Sequence, residues 1–303
     1  MRVPEALVPL ALRATRANRA FTSPDVVRER IAERSLRPQS FHPPRRLTRP
    51  VTITAARHGG WPLYTVAPKG RAPRGAVVYT HGGAWVNEIV LPHWRLVEQI
   101  AAESGAAVLV PIYPLVPFGT AQEVVGTVAD IARQAADRFG IVRLAGDSAG
   151  GQIALSTALE LRDRHGLRVS RTVLIAPALD LSWSNPQIPR VQPDDPWLAV
   201  PGGRVFSEHW RGALPVSDQR VSPLAADLAG LGPLSVYVGT RDILSPDVRL
   251  LEQRARAAGV DVDLHVGAGL VHVYPLLPTR AGRLAREQIV ADLTDRTDRG
   301  DRG

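Results

Sequence analysis

The stretch Gly146-Asp147-Ser148-Ala149-Gly150-Gly151 decides the fold of this chain. It lies between an apolar run at residues 142–145, which predicts a strand, and a helical pattern that begins near residue 149. A serine on such a sharp turn needs small neighbours, because the backbone is strained and the helix passes close to the strand. The helix amino terminus adds unsatisfied N–H groups and a partial positive charge beside Ser148. We therefore interpret Ser148 as a candidate nucleophile; the alternative is a capping serine at a glycine-rich helix entry.

Short apolar runs alternate with helical patterns on both sides of this motif. The expected strands lie at 51–54, 63–66, 76–79, 107–110, 142–145, 173–176, 234–238 and 262–266, the first two forming a hairpin with its turn at 58–60. The expected helices lie near 92–103, 121–138, 149–164, 246–258 and 280–293. This alternation predicts an α/β fold with a mostly parallel central sheet flanked by helices on both faces.

Three segments fall outside this alternation. Residues 1–50 are rich in arginine and proline with helical stretches, and we expect an amino-terminal cap there. The stretch at about 182–221 interrupts the domain expected at 51–293; it predicts a lid insertion over the active edge of the sheet, or alternatively a poorly ordered surface loop. Residues 294–303 lack apolar side chains and predict a disordered tail.

A second motif, His81-Gly82-Gly83-Ala84-Trp85, follows the strand expected at 76–79. Glycines leave backbone N–H groups free to face a substrate, and each preorganised donor to a tetrahedral oxyanion lowers the barrier by roughly 3 kcal/mol. We expect the amides of Gly83, Ala84 and Ala149 to form an oxyanion hole, with His81 fixing the loop. A Gly-Gly turn without function is the alternative.

A serine hydroxyl is a weak nucleophile and needs a histidine that accepts its proton. Two late histidines compete for this role. His265 lies inside the strand pattern, whereas His272 follows an expected loop at 267–271, beyond the carboxyl end of that strand. Because loops at this edge converge on Ser148, we favour His272 as the base.

The base in turn needs a carboxylate that orients it. Asp242 follows the strand expected at 234–238 and precedes a helix, so it lies at the same edge of the sheet. Asp247 lies in the first turn of that helix, where the helix dipole alone explains a carboxylate, and Asp180 is a further alternative. We favour Asp242, and the order Ser, Asp, His matches the arrangement typical of α/β-hydrolases.

Together these motifs resemble the hormone-sensitive-lipase-like α/β-hydrolases, especially their bacterial esterases and steryl-acetyl-hydrolase-like members. The similar segments lie at 81–85, 111–117, 146–151, 239–244 and around His272. The resemblance implies the α/β-hydrolase fold, a structural role for Asp147, and a lid built from the helices before residue 50 and the segment at 182–221. Two positions depart from the family: Ala84 replaces a motif glycine, and Phe118 stands where glutamate is usual.

The composition limits the partners of the protein. The 303 residues are 45% hydrophobic, which indicates a globular chain able to bury a large core. The net charge of +8 comes almost entirely from arginines scattered among acidic residues, so we expect no nucleic-acid role. Cysteine is absent, which excludes disulfides and thiolate sites. Without a convincing secretory signal or a long apolar run, a cytoplasmic location is the expectation by elimination.

The sequence thus predicts a serine carboxylesterase that hydrolyses small to medium acyl esters through an acyl-enzyme, with no metal or organic cofactor. A lactone or amide substrate fits the same trio of residues, and a non-catalytic ligand-binding module on this scaffold is the rival from another class. The apolar residues between Leu7 and Leu12 lie beside Arg13 and Arg16, a pattern compatible with contact at a lipid interface. We expect no stable insertion into a membrane. A homodimer is also left open.

Overall fold

The computed structural model describes residues 3–294 and contains, within them, one sheet of eight strands and ten α-helices. The strands are β1 (Val51–His58), β2 (Trp61–Pro68), β3 (Ala76–Thr80), β4 (Ala107–Pro111), β5 (Val142–Asp147), β6 (Thr172–Ile175), β7 (Leu234–Arg241) and β8 (Val262–Val271). The helices are α1 (Leu7–Ala14), α2 (Arg19–Thr22), α3 (Pro24–Leu36), α4 (Leu91–Ser104), α5 (Ala121–Phe139), α6 (Ala149–His165), α7 (Ile188–Val191), α8 (Val200–Arg211), α9 (Ser245–Ala257) and α10 (Arg280–Asp292).

The strand order across the sheet is β1-β2-β4-β3-β5-β6-β7-β8. Strands β1 and β2 form an antiparallel hairpin, and β2 is also antiparallel to β4. From β4 to β8 all neighbouring strands are parallel. The predicted mostly parallel sheet is therefore confirmed.

Two apolar clusters cover the two faces of the sheet. Along β3, Ala76 and Val78 belong to the cluster that includes α5, α6 and α9, whereas Val77 and Tyr79 belong to the cluster that includes α4 and α10. Successive side chains of a strand point to opposite faces, so a strand buried on both faces reads as an uninterrupted apolar run. The strands that carry the site are thus held from both sides.

The helices α2, α3 and α8 pack against one another although they are far apart in the chain. Helix α8 lies inside the stretch at 182–221, which has no clear helical periodicity in the sequence. Two glycines allow its close packing: a Cβ at Gly202 would lie 2.4 Å from the Cα of Phe21, and one at Gly203 would lie 2.4 Å from the ring of Trp183. Trp183 and Trp210 are buried and anchor this stretch to the domain.

One expected boundary is wrong. The loop expected at 267–271 is the continuation of β8, which pairs with β7 as far as Val271 through an irregularity opposite Gly239–Arg241. The amide of Gly269 donates a hydrogen bond of 2.8 Å to Oγ1 of Thr240, which holds the irregular part against β7. Residue 272 nevertheless lies immediately after the strand, at the expected edge of the sheet.

The structure does not test two predictions about the ends of the chain, the disordered tail and the lipid contact of the first helix. Residues 295–303 of the expected tail lie outside the described residues. Between residues 3 and 294, no helix combines the length and the apolar composition that crossing a membrane requires. Leu7 and Leu10 of α1 are exposed, so the contact of this helix with a lipid interface stays a prediction.

Candidate active site

Ser148 lies on a strained turn between β5 and α6. Its φ of 52° and ψ of −118° are unusual for a residue with a side chain. The close approach of neighbouring backbone explains the flanking glycines: a Cβ at Gly150 would lie 2.1 Å from the carbonyl oxygen of Thr80, and one at Gly146 would lie 2.3 Å from the oxygen of Gly150. The sequence therefore folds into a tight elbow, and Ser148 stands at its tip.

Three side chains that sequence analysis selected meet at the carboxyl edge of the sheet. Nε2 of His272 lies 2.9 Å from Oγ of Ser148, and Nδ1 of His272 lies 2.7 Å from Oδ2 of Asp242. The turns after β5, β7 and β8 supply one residue each. A carboxylate only accepts hydrogen bonds, so the proton lies on Nδ1, and Nε2 is free to accept the proton of the serine hydroxyl. The arrangement can activate a hydroxyl for nucleophilic attack.

The imidazole is buried among carboxylates. Burial disfavours the charged form of His272, but the charge and the hydrogen bond of Asp242 outweigh it, so the pKa of His272 is raised above 6.5. Asp195 and Asp147 add smaller contributions in the same direction. Asp242 itself is fully buried, and its Oδ1 accepts a hydrogen bond of 2.9 Å from the amide of Leu244. The carboxylate is therefore fixed at both oxygens.

The rival residues lie elsewhere. His265 stacks on Tyr237 within the sheet, with ring centroids 4.4 Å apart. Asp247 accepts a hydrogen bond of 2.7 Å from the side chain of Asn185, and Asp180 accepts one from the amide of Ser182. None of the three rivals makes a hydrogen bond with His272 or Ser148 within residues 3–294.

The loop after β3 presents backbone amides to the site. Gly83 and Ala84 have φ values of 127° and 53°, and both line the cavity in front of Ser148. In the described part of the chain, the N–H groups of Gly83, Ala84 and Ala149 donate to no other protein group. Unpaired donors beside a nucleophile can stabilise a developing negative charge. Ala84 adopts its left-handed conformation in spite of its side chain.

Buried polar side chains hold this loop in place. Asp147 accepts hydrogen bonds from the hydroxyl of Tyr79 at 2.6 Å and from the amide of Gly82 at 3.0 Å, which couples the loop to the elbow. His81 stacks on Tyr113 with ring centroids 4.6 Å apart. Burial, followed by the nearby His93, lowers the pKa of His81 to about 4. His81 is therefore neutral near pH 7 and supports the loop.

The cavity in front of Ser148 has a volume of about 240 Å³. Its walls are mostly apolar and come from the loop after β3, the amino-terminal helices, the 182–221 stretch and the turn after His272. The apolar side chains are Ala17, Ala20, Phe21, Ala84, Val90, Pro92, Trp197, Leu198, Val273, Leu276 and Leu277. The ionisable side chains of the lining are Arg30, Glu88, His93, Asp147 and His272. No group of three or more side chains suited to a metal ion occurs between residues 3 and 294.

Two residues that organise the site, Gln152 and Asp195, were not predicted from the sequence. Gln152, one turn after Ser148, accepts hydrogen bonds from the indoles of Trp85 and Trp210 at 3.2 and 2.9 Å. Asp195 accepts three backbone hydrogen bonds, one of them from Ile243 beside Asp242. Neither residue belongs to a motif, and their partners are remote in the chain. The aromatic residues of the 182–221 stretch were the only available signal.

Comparison with known proteins agrees with the fold. A family described as the alpha/beta hydrolase fold matches residues 77–276. A triacylglycerol lipase of Mycobacterium tuberculosis is 32% identical over 243 residues, which cover 78% of this chain and 50% of that lipase. An esterase of Acinetobacter venetianus is 30% identical over 199 residues, which cover 64% of this chain and 65% of that esterase. The chain therefore spans half the length of the first relative and under two thirds of the second.

A solved structure gives the same picture over nearly the whole length. It is described as an esterase from the bacterial hormone-sensitive lipase family, and it superposes on this chain with a TM-score of 0.80 at 25% sequence identity. The superposition covers 97% of this chain and 98% of that esterase.

Proposed function

This chain belongs to the α/β-hydrolase fold family, in its hormone-sensitive-lipase-like branch, and we propose that it is a carboxylic ester hydrolase acting on small to medium acyl esters. One observation carries the proposal: the two contacts of His272, at 2.9 Å to the hydroxyl of Ser148 and 2.7 Å to the carboxylate of Asp242. The names of the relatives, an esterase and a triacylglycerol lipase, agree with this chemistry.

In the proposed reaction, Oγ of Ser148 attacks the carbonyl carbon of the ester while Nε2 of His272 takes the hydroxyl proton. Asp242 keeps the second proton on Nδ1 and stabilises the imidazolium. The tetrahedral intermediate collapses when His272 donates its proton to the leaving alcohol, which produces an acyl group on Ser148. Water, activated by the same imidazole, then releases the acid and restores the hydroxyl.

The negative charge of the tetrahedral intermediate needs donors that are in place beforehand. We assign this role to the amides of Gly83, Ala84 and Ala149. Their lack of other partners within the described chain supports the assignment. The amino terminus of α6 lies beside Ser148 and adds a partial positive charge at the same place.

The size of the cavity supports short acyl groups. Its volume of about 240 Å³ lies below the roughly 300–1,000 Å³ that is typical of pockets for drug-sized ligands. The apolar walls favour an alkyl chain over a charged group. We therefore propose that activity is highest on small to medium acyl chains and falls for long ones.

We also propose that residues 1–50 and the 182–221 stretch act together as a lid on the catalytic domain at 51–293. Ala17, Ala20 and Phe21 line the cavity from one side, and Trp197 and Leu198 line it from another. The packing of α2 and α3 on α8 joins these two segments. A substrate would therefore meet both segments before it reaches Ser148.

Replacement of the proposed nucleophile tests this function. Ser148→Ala should lower kcat on p-nitrophenyl butyrate by roughly five to six orders of magnitude, with the fold retained by circular dichroism. An alkyl phosphonate should add to the wild-type protein at the peptide that contains Ser148, as measured by mass spectrometry. Ser217→Ala is the matched control, because Ser217 is exposed, and its activity should equal that of the wild type. A merely tenfold loss in Ser148→Ala would contradict the proposal.

A series of p-nitrophenyl esters from acetyl to dodecanoyl tests the acyl range. We expect kcat/KM to reach its maximum among the short and medium chains and to fall towards dodecanoyl. A maximum at dodecanoyl would contradict the assignment of the cavity as the acyl site.

A further inference from the structure

Asp195 is a buried carboxylate that the proposed reaction does not use. It is 5% exposed and follows the short helical turn Gln192–Asp194 in the 182–221 stretch. It forms no ion pair with an arginine or lysine within residues 3–294. A buried carboxylate is costly unless hydrogen bonds compensate for the lost hydration, so its contacts call for an explanation.

The two oxygens of Asp195 bind to two different parts of the site. Oδ1 accepts hydrogen bonds of 2.8 Å from the amides of both Trp197 and Leu198, which form a wall of the cavity. Oδ2 accepts a hydrogen bond of 2.9 Å from the amide of Ile243, the residue after Asp242. One side chain therefore connects the cavity wall to the loop that carries the proposed catalytic acid.

The wall that Asp195 holds also touches the proposed base. The ring of Trp197 meets the imidazole of His272 edge-on, with ring centroids 5.9 Å apart. A shift of the Trp197 turn would therefore disturb both the cavity and the packing of the imidazole.

The charge of Asp195 acts on the same group. Burial, followed by the repulsion of Asp242, raises the pKa of Asp195 to about 6. The charged groups that act on His272 are Asp242, Asp195 and Asp147, and all three favour its protonated form. Ionised Asp195 is thus a second source of negative potential behind the imidazole.

We infer that Asp195 is a positioning residue for ester hydrolysis: it holds the cavity wall against the Asp242 loop and supports the imidazolium of His272. The inference rests on the proposed function of Ser148 and His272. Asparagine cannot replace this side chain, because it has only one oxygen that accepts hydrogen bonds. If that oxygen faces the amides of Trp197 and Leu198, the NH₂ group faces the N–H of Ile243, and the reverse orientation has the same defect. The substitution removes the charge as well.

Asp195→Asn tests the inference through KM and the pH profile. We expect kcat/KM on p-nitrophenyl butyrate to fall about tenfold, mainly through a higher KM, because the wall is displaced. We also expect the acid limb of kcat/KM to move by about half a unit to lower pH, because the imidazolium loses a negative neighbour. Asp194→Asn is the matched control, since Asp194 is adjacent and exposed, and it should change neither quantity.

The outcomes separate the inference from the proposed function. If Asp195→Asn leaves both the acid limb of the kcat/KM pH profile and KM unchanged, the inference is overturned. Ser148→Ala in the same assay tests the proposed function independently. If Ser148→Ala retains activity, both fail. Should Asp195→Asn not fold, carboxyl ¹³C NMR of the wild type decides. A midpoint near 6 that responds to the titration of the imidazole supports the inference, and an independent titration near the ordinary aspartate value of about 4 overturns it.

Discussion

Oδ2 of Asp147 lies 3.2 Å from Nε2 of His93, and both side chains are buried below the elbow. Nδ1 of His93 accepts a hydrogen bond of 3.0 Å from the amide of Val90, so Nε2 carries a proton and donates it to Asp147. Burial opposes ionisation of Asp147, but His93 and Tyr79 outweigh it, and the pKa of Asp147 is lowered. Asp147, the residue before Ser148, thus joins α4, β3 and the loop after β3 to the elbow.

We expect Asp147→Asn to destabilise the protein by about 3 kcal/mol, because the NH₂ group of asparagine cannot accept from the donors that surround the carboxylate. Activity should fall as well, since the amide of Gly82 loses its partner and the loop after β3, which carries the proposed oxyanion-hole amides, is released. Urea unfolding and kcat on p-nitrophenyl butyrate measure the two effects. Asp137→Asn, at an exposed ion pair with Arg133, should alter stability by less than about 1 kcal/mol. Equal stability of the two variants would contradict this account of Asp147.

Asp242→Asn and Asp247→Asn distinguish the two carboxylates near the start of α9. Asp242→Asn should lower kcat by about three to four orders of magnitude, because the imidazole loses the acceptor that fixes its tautomer. Asp247→Asn should retain most activity, because its partner is Asn185. Steady-state kinetics of both purified variants measure the contrast. The reverse ranking would assign the acid to Asp247.

The sequence predicted best the parts of the fold that depend on local pattern. The parallel strands are buried on both faces, so each appears as a short apolar run, and the expected bounds from β3 to β6 lie within two residues of the observed ones. The candidate trio was identifiable because Ser148 and Asp242 each lie a few residues after an expected strand, and His272 follows the glycine-rich segment beyond another.

The missed features depend on contacts between remote segments. Helix α8 contains two consecutive glycines, which weaken the helical pattern, and they are tolerated because Phe21 and Trp183 pack where side chains would lie. The glycines of β8 likewise made residues 267–271 look like a loop in the sequence. They belong to a strand because pairing with β7, which is remote in the chain, compensates for their low strand propensity. Asp195 could not be found from the sequence, because its role depends on Ile243, 48 positions away.

The pH dependence of activity should report the environment of His272. In the proposed reaction His272 acts as a base only in its neutral form. Because its pKa is raised above 6.5, lowering the pH begins to protonate the imidazole at a higher pH than for an ordinary histidine. We therefore expect kcat/KM to rise with pH along an acid limb whose midpoint lies above 6.5. A pH-stat assay with ethyl butyrate from pH 5 to 9 avoids the titration of a nitrophenol product. A midpoint below 6.5 would contradict the charge environment described for the imidazole.

Glu88 provides a test of stability as a function of pH. It lines the cavity near the proposed catalytic site, and its Oε2 is buried without a hydrogen-bond partner among residues 3–294. Burial raises the pKa of Glu88 from 4.5 to about 7. The folded state then binds the proton more tightly than the unfolded state, so the contribution of Glu88 to stability is most favourable below pH 4.5 and declines as the pH rises towards 7. The cost at higher pH should be about 1–2 kcal/mol after allowance for partial exposure of the side chain to solvent.

Glu88→Gln imitates the protonated carboxyl at every pH. We therefore expect the free energy of unfolding of the variant to approach that of the wild type near pH 5 and to exceed it by about 1–2 kcal/mol at pH 8. Urea unfolding at pH 5, 6, 7 and 8 measures the difference. Glu29→Gln, at an exposed carboxylate on α3, is the control for the general effect of removing a negative charge from this basic protein. A difference for Glu88→Gln that stays constant from pH 5 to 8 would mean that the carboxyl is not held in its protonated form by burial.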